Sequence, residues 1–230
     1  IMLGTRMIRN GRVKRAIVGG VDSLAKYTVN GFNSLQIFSD ELMKPFDQNR
    51  KGLNLGEGAG YLVLESEELV KDKLVLGEVL GYGNANDAHH PSAMSPTAVG
   101  VRGAITRALK SAGIDASEID HVNAHGTGTP NNDQTELFGL TNIFETVPPF
   151  ISTKSYSGHT LAASGGIEAV YSLLSILNSE IYPSLNYSNP MEGFTEVPNT
   201  VLLADQSINH VLSNSFGFGG NCTSLILSKA

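Results

Sequence analysis

Three short apolar stretches in this chain each run into a cluster of small residues, and this pattern constrains the fold more than anything else. Residues 119–124 lead into His125-Gly126-Thr127-Gly128-Thr129-Pro130. Residues 149–151 lead into Ser152-Thr153-Lys154-Ser155-Tyr156-Ser157-Gly158-His159. A third cluster, Asn214-Ser215-Phe216-Gly217-Phe218-Gly219-Gly220-Asn221, lies near the C-terminus. Strands that end in such loops belong to an α/β sheet, whose ligands bind at the carboxyl ends of the strands. Glycines beside each imidazole let backbone or substrate come close. The three loops are expected to build one site.

The rest of the chain reads as alternating strands and helices with short links, an α/β fold with a mostly parallel sheet. Apolar residues Met2, Leu3, Met7 and Ile8 mark an N-terminal helical stripe with no capping residue before Ile1, and Asn10-Gly11 stops it. That helix reads as entered part-way along, which predicts a chain truncated at this end. Residues 15–20 read as a buried strand ending in a glycine turn, and residues 58–65 as another strand. The charged stretch 65–73 suggests a boundary, giving units of 1–68 and 69–230. A strand follows at 74–82, a helix at 98–112 with Gly113 as its stop, and a helix at 132–144. Residues 161–177 are small and apolar nearly throughout, as for a helix buried between two sheets. Residues 201–204, 209–213 and 224–228 complete the predicted strands.

Composition narrows the function classes. The chain has 230 residues, a formal charge of −6 and no basic cluster, which argues against nucleic acid as a partner. No apolar run is read as long enough to cross a membrane, and no signal peptide is visible, so membrane insertion is not expected and a cytoplasmic setting is. One cysteine, Cys222, rules out an internal disulfide and a cysteine-based zinc cluster.

The chemistry points to imidazole. Two neutral imidazoles that donate to one oxygen make an oxyanion hole able to hold an enolate. Lys154, five residues before His159, is placed to hold a carboxylate or to bias a histidine's protonation. The Phe216–Gly220 loop offers apolar rings for an acyl pocket and free backbone N–H groups for a second oxyanion site. A lone histidine after a strand is ordinarily a satisfied structural residue; two of them in Gly/Ser/Thr settings favour a site. His121 and His125 have the spacing of a metal pair but lie on a strand and lack the glutamate of the helical zinc motif. A histidine-based metal hydrolase is the weaker alternative.

Together these runs, with Pro45-Phe46-Asp47 and Gly56-Glu57-Gly58-Ala59-Gly60, resemble those of β-ketoacyl-acyl carrier protein synthases. The nearest type is the elongating synthase II and its polyketide relatives, and the likeness extends over nearly the whole chain. The resemblance implies a thiolase-like fold of layered helices and sheets, α-β-α-β-α. It implies an acyltransferase that performs decarboxylative Claisen condensation in fatty acid or polyketide synthesis, partnered by acyl carrier protein bearing acyl and malonyl groups and working as a homodimer. On that likeness His125 and His159 stabilise the enolate with Lys154 nearby. Thr127 and Thr129 flank the pantetheine arm, and Phe216, Phe218 and Gly219 belong to the gating loop. Asp133 and Glu136 brace the histidine loop. No organic cofactor is implied, but a structural monovalent cation held by Asn123, Glu168 and Ser213 is.

Two departures qualify the match. The family's nucleophilic cysteine opens the helix that here is already running at Ile1, so it is expected to precede this chain, which alone should bind malonyl groups weakly and make no 3-ketoacyl product. Cys222 does not replace that cysteine, standing where the family has asparagine, after Asn221 in place of threonine. The second departure is that residues 1–68 match only the end of the first thiolase-like half, with 69–230 as the C-terminal half. The remaining alternative is a non-catalytic partner akin to a chain-length factor.

Overall fold

The computed structural model describes all 230 residues. Two sheets carry the chain. An antiparallel pair joins β1 (Arg15–Asp22) to β2 (Gly58–Glu65), and a five-stranded sheet runs in the order β3-β7-β6-β4-β5. Its strands are β3 (Glu78–Asn86), β4 (His121–Asn123), β5 (Phe150–Ile151), β6 (His210–Gly217) and β7 (Asn221–Ser228).

The sheet is mixed, a correction to the mostly parallel one read from the sequence. β4 pairs in parallel with β5 and β6, whereas β7 is antiparallel to both β3 and β6. The cause is local: β6 returns directly into β7 through Phe218-Gly219-Gly220, where both glycines take φ near +80°. A three-residue turn of that kind makes a hairpin, and a hairpin is antiparallel.

Helices α4 (Val99–Ala112) and α5 (Pro130–Ile143) cover one face of this sheet with a core that includes Val101, Ala104, Ile105, Leu137 and Leu140. Gly113 ends α4 in the left-handed conformation, the stop its sequence announces. α5 begins at Pro130, two residues before the expected start, because proline suits the first helical position. The other face packs on α7 (Ser164–Asn178), through Ile151, Ala169, Leu173, Ile176, Val211 and Leu227. β2 and β1 close over the far side of α7, and α1 (Met2–Arg9) packs beside them. Helix, sheet, helix, sheet is the resulting stack.

Several sequence expectations give way. Residues 161–178 do have the length and apolarity of a membrane span, with mean hydropathy 1.2, yet half of that stretch is buried between the sheets. β1 is not a buried strand and does not turn at its glycines. Its residues alternate, leaving Ile17 and Val21 exposed on the face that also bears Tyr61 and Val63. Residues 201–204 form no strand: Leu203 makes one bridge to Ile181, while Val201 and Leu202 stay exposed. The strand expected at 74–82 begins only at Glu78 and runs to Asn86. Three helices were not foreseen, α2 (Lys26–Ser34) and the single turns α3 (Glu67–Val70) and α6 (Lys154–Ser157).

Candidate active site

His125 lies two residues beyond the end of β4, and its loop is held from beneath by a buried carboxylate. Glu136, on α5, accepts the N–H of His125 at 2.8 Å, the N–H of Gly126 at 2.9 Å and the amide of Asn214 at 3.1 Å. Gly126 is required there. It takes φ +37°, and a β-carbon would come within 2.6 Å of Ser152. Asp133, three residues earlier on α5, accepts the N–H of Gly128 at 3.2 Å and that of Phe46 at 2.7 Å, with Arg50 at 3.8 Å. Both acidic residues thus face the histidine loop. Burial pushes the Glu136 carboxyl up to about 7 and raises Asp133 as well, against the hydrogen bonds that favour their ions.

His159 arrives from a different element. The expected loop after β5 contains one helical turn, α6 (Lys154–Ser157), after which His159 is pinned by segment 54–56: its N–H donates to Asn54 O at 2.7 Å and its O accepts from Gly56 at 3.1 Å. The two imidazole rings meet edge to face, with centroids 5.4 Å apart and planes at 84°. Phe216, buried at the end of β6, lies 5.3 Å from His125 and walls the pair.

Hydrogen bonding fixes both tautomers. Lys154 Nζ stands 3.2 Å from His125 Nδ1 and also donates to His125 O and to Glu168. An ammonium only donates, so His125 Nδ1 is the acceptor and Nε2 carries the hydrogen. The N–H of Leu161 donates to His159 Nδ1 at 3.2 Å, with the same consequence for that ring. Burial, then the charge of Lys154, lowers both imidazoles: His159 falls to about 3 and His125 well below its usual range. Two neutral rings, each with Nε2–H as its free donor, stand side by side.

The remaining candidates divide. Thr127 and Thr129 lie on the His125 loop with their hydroxyls 2.8 Å apart. Phe218 does not join the imidazoles: it is 52% exposed and stacks on Phe32 of α2 at 5.7 Å. Gly219 offers no free donor, since its N–H is spent on Pro91 O at 2.7 Å. That amide is therefore not available to the second oxyanion site expected of the loop. His121 is buried with Nδ1 against Pro149 O at 2.9 Å, and no three His, Cys, Asp or Glu side chains converge as metal ligands, which removes the basis of the hydrolase reading.

Asn123, Glu168 and Ser213 come together between β4, β6 and α7. Asn123 pairs with Ser213 across the parallel strands, and its amide donates to Glu168 O at 3.1 Å. Asn123 Oδ1 is buried without any hydrogen-bond partner, and Glu168 contributes a buried carboxylate. The orphaned Asn123 oxygen is a donor a monovalent cation could use, whereas the Glu168 carboxylate already accepts from Lys154 and Ser215. Cys222 is inert: burial, with Asp87 and Glu136 behind it, pushes its thiol up to about 12.

Sequence reasoning missed Leu161, Ser164 and Asn54, and it gave Asn214, at the head of the third cluster, no role of its own. All four act through backbone groups or through short hydrogen bonds set by the fold, and carry no signature of spacing.

Family profiles decide the wider question. That of the beta-ketoacyl synthase N-terminal domain matches residues 1–69, and that of the C-terminal domain matches residues 76–188. The chain belongs to the β-ketoacyl synthase family. A 3-oxoacyl-[acyl-carrier-protein] synthase 2 of Staphylococcus aureus (strain COL) is 34% identical over 97% of this chain and 57% of its own length. A ketosynthase in complex with its chain length factor from Xenorhabdus doucetiae superposes with TM-score 0.90 at 38% identity, over 100% of this chain and 56% of that one. A type II PKS acyl-carrier protein in complex with its ketosynthase bound to the hexaketide gives 0.93 at 28% identity, over 99% and 59%. This β-ketoacyl synthase chain therefore has the thiolase-like layered fold, and it spans somewhat over half the length of the relatives it matches.

Proposed function

We propose that the chain supplies the decarboxylating centre of a 3-oxoacyl-[acyl-carrier-protein] synthase. A malonyl thioester bound with its thioester oxygen between the rings would receive Nε2–H from both His125 and His159. Loss of carbon dioxide breaks the bond to the carboxylate and leaves the electron pair as an enolate on that oxygen. Two fixed donors in a buried site stabilise the charge as it forms. The enolate carbon then attacks an acyl thioester, the thiolate leaves, and a 3-ketoacyl product results. Cys222 does not provide the acyl-bearing thiolate, so the 230 residues furnish the enolate half of the chemistry.

Lys154 sets His125 with its lone pair turned inward, and Glu168 balances the ammonium. A structural monovalent cation held by Asn123, Glu168 and Ser213 would tie β4, β6 and α7 together. Thr127 and Thr129 line the approach for the malonyl group's pantetheine arm, delivered by an acyl carrier protein. A homodimer is part of the same reading. The lysine and both histidines argue for catalysis over a purely supporting subunit, since a scaffold needs no matched pair of imidazole donors.

The observation that carries this reading is the contact of two neutral imidazoles with both Nδ1 atoms occupied. Its test is release of carbon dioxide from malonyl-carrier protein by the protein as its source produces it. His125→Ala should abolish the release, and retained turnover would remove the proposed role.

A further inference from the structure

Nδ1 of His159 meets two groups at once, Leu161 N at 3.2 Å and Ser164 Oγ at 3.1 Å. Ser164 Oγ in turn lies 3.2 Å from Thr160 Oγ1. Hydroxyl pairs can run in either direction, but the N–H of Leu161 can only donate. Nδ1 must therefore present its lone pair, and Ser164 can bond to it only by donating its proton. The serine oxygen is then left to accept from Thr160. Ser164 is 4% exposed and Thr160 1%, so neither hydroxyl has bulk water as an alternative partner. Leu161 adopts φ +49°, a left-handed conformation costly for a branched side chain, in the residue that aims its N–H at the ring.

We infer that Thr160 and Ser164 form a one-way hydroxyl relay which, with the Leu161 N–H, holds His159 as the Nε2–H donor. Ser164 is a positioning residue: it touches the imidazole and not the reacting atoms. The charged and titratable groups around the ring are His125 opposite it, Lys154 on α6, and Asp22 of β1, which accepts the N–H of Ala162 behind it at 3.2 Å. None of these takes the place of the serine hydroxyl at Nδ1. The effect on rate rests on the proposed decarboxylation, whereas the tautomer rests on hydrogen bonding alone.

Nitrogen-15 NMR of the histidine-labelled chain reads the tautomer directly. The expected wild-type His159 has a bare Nδ1 and a protonated Nε2. Ser164→Ala should move the Nδ1 resonance toward that of a less hydrogen-bonded lone pair. It should also lower kcat for malonyl-thioester decarboxylation about tenfold with KM nearly unchanged, the worth of about one hydrogen bond. Thr160→Val is isosteric and should shift the same resonance by a smaller amount, while Thr160→Ser keeps the hydroxyl and should match wild type. An Nδ1–H ring in wild type overturns the relay. So does a folded Ser164→Ala chain with wild-type resonances and wild-type rate. An Nε2–H ring that responds to Ser164→Ala, in a protein that releases no carbon dioxide, supports the relay and overturns the proposed function.

Discussion

Lys154 Nζ stands 3.2 Å from His125 Nδ1 and also bonds Glu168, so one buried ammonium joins an imidazole on β4's loop to a carboxylate on α7. Both charged side chains are 2% exposed. Such a pair adds little net stability relative to an apolar packing, but removing one partner leaves a bare buried charge.

Lys154→Met is therefore expected to destabilise the chain by about 3–5 kcal/mol, because Glu168 is stranded. Lys154→Met combined with Glu168→Gln should regain much of that loss without regaining decarboxylation, since His125 Nδ1 still lacks its donor. Urea unfolding and carbon dioxide release, measured on both variants, separate the two effects. Equal stability of the single and double variants would contradict the pairing.

Glu136 presents acceptor oxygens to three donors, and a glutamine cannot do so. Glu136→Gln points an NH2 group at a backbone N–H of His125 or Gly126, leaving a buried donor unpaired at about 1–3 kcal/mol. The loop should loosen and His125 lose its alignment with His159. Hydrogen exchange at the Gly126 amide is expected to quicken, and an unchanged rate would remove the bracing role.

Where this architecture was legible in the sequence, local chemistry and long-range packing agreed. β2 carries a continuous apolar run, Tyr61 to Leu64, and α4 has both an apolar stripe and Gly113 as its stop. α2 escaped notice because Lys26–Ser34 contains Thr, Val, Asn and Gly and buries none of its residues, so no periodic signal marks it. Val201 to Ala204 reads as a strand by composition, yet pairing depends on a neighbour in register, and only Leu203 has one. The imidazole pair could be proposed from its loops. Its tautomers could not, because the groups that set them, Leu161 N–H and Lys154 Nζ, are placed by tertiary structure.

Stability should depend on pH through His159. Its folded value, about 3, lies below the unfolded one near 6.5, so the unfolded chain takes up the proton first as pH falls. The neutral ring's contribution is present above about 6.5 and is lost as pH drops toward 3. Between pH 6.5 and 5 this costs roughly 2 kcal/mol. Glu136 acts with the opposite sign: its carboxyl, raised to about 7, favours the folded state at low pH and loses that advantage as pH climbs from about 4.5 to 7. His159→Gln should flatten the acid side of the profile in urea titrations, and an unchanged slope would refute the assignment.

Association in solution follows from the outer face of the small sheet. Ile17 and Val63 sit opposite one another across the β1–β2 ladder, 74% and 61% exposed, with Val21 and Tyr61 on the same side. A contiguous apolar strip on a two-stranded sheet attracts another such surface, because burying it releases about 25 cal/mol for each Å² removed from water. The 230-residue chain is therefore expected to self-associate at micromolar concentration in light scattering. Replacing Ile17 and Val63 together with lysine puts like charges face to face across the ladder and should shift the population to monomer, with the core between α7 and the five-stranded sheet untouched. A monodisperse wild-type monomer would show that the exposed strip is too small or too twisted to drive assembly.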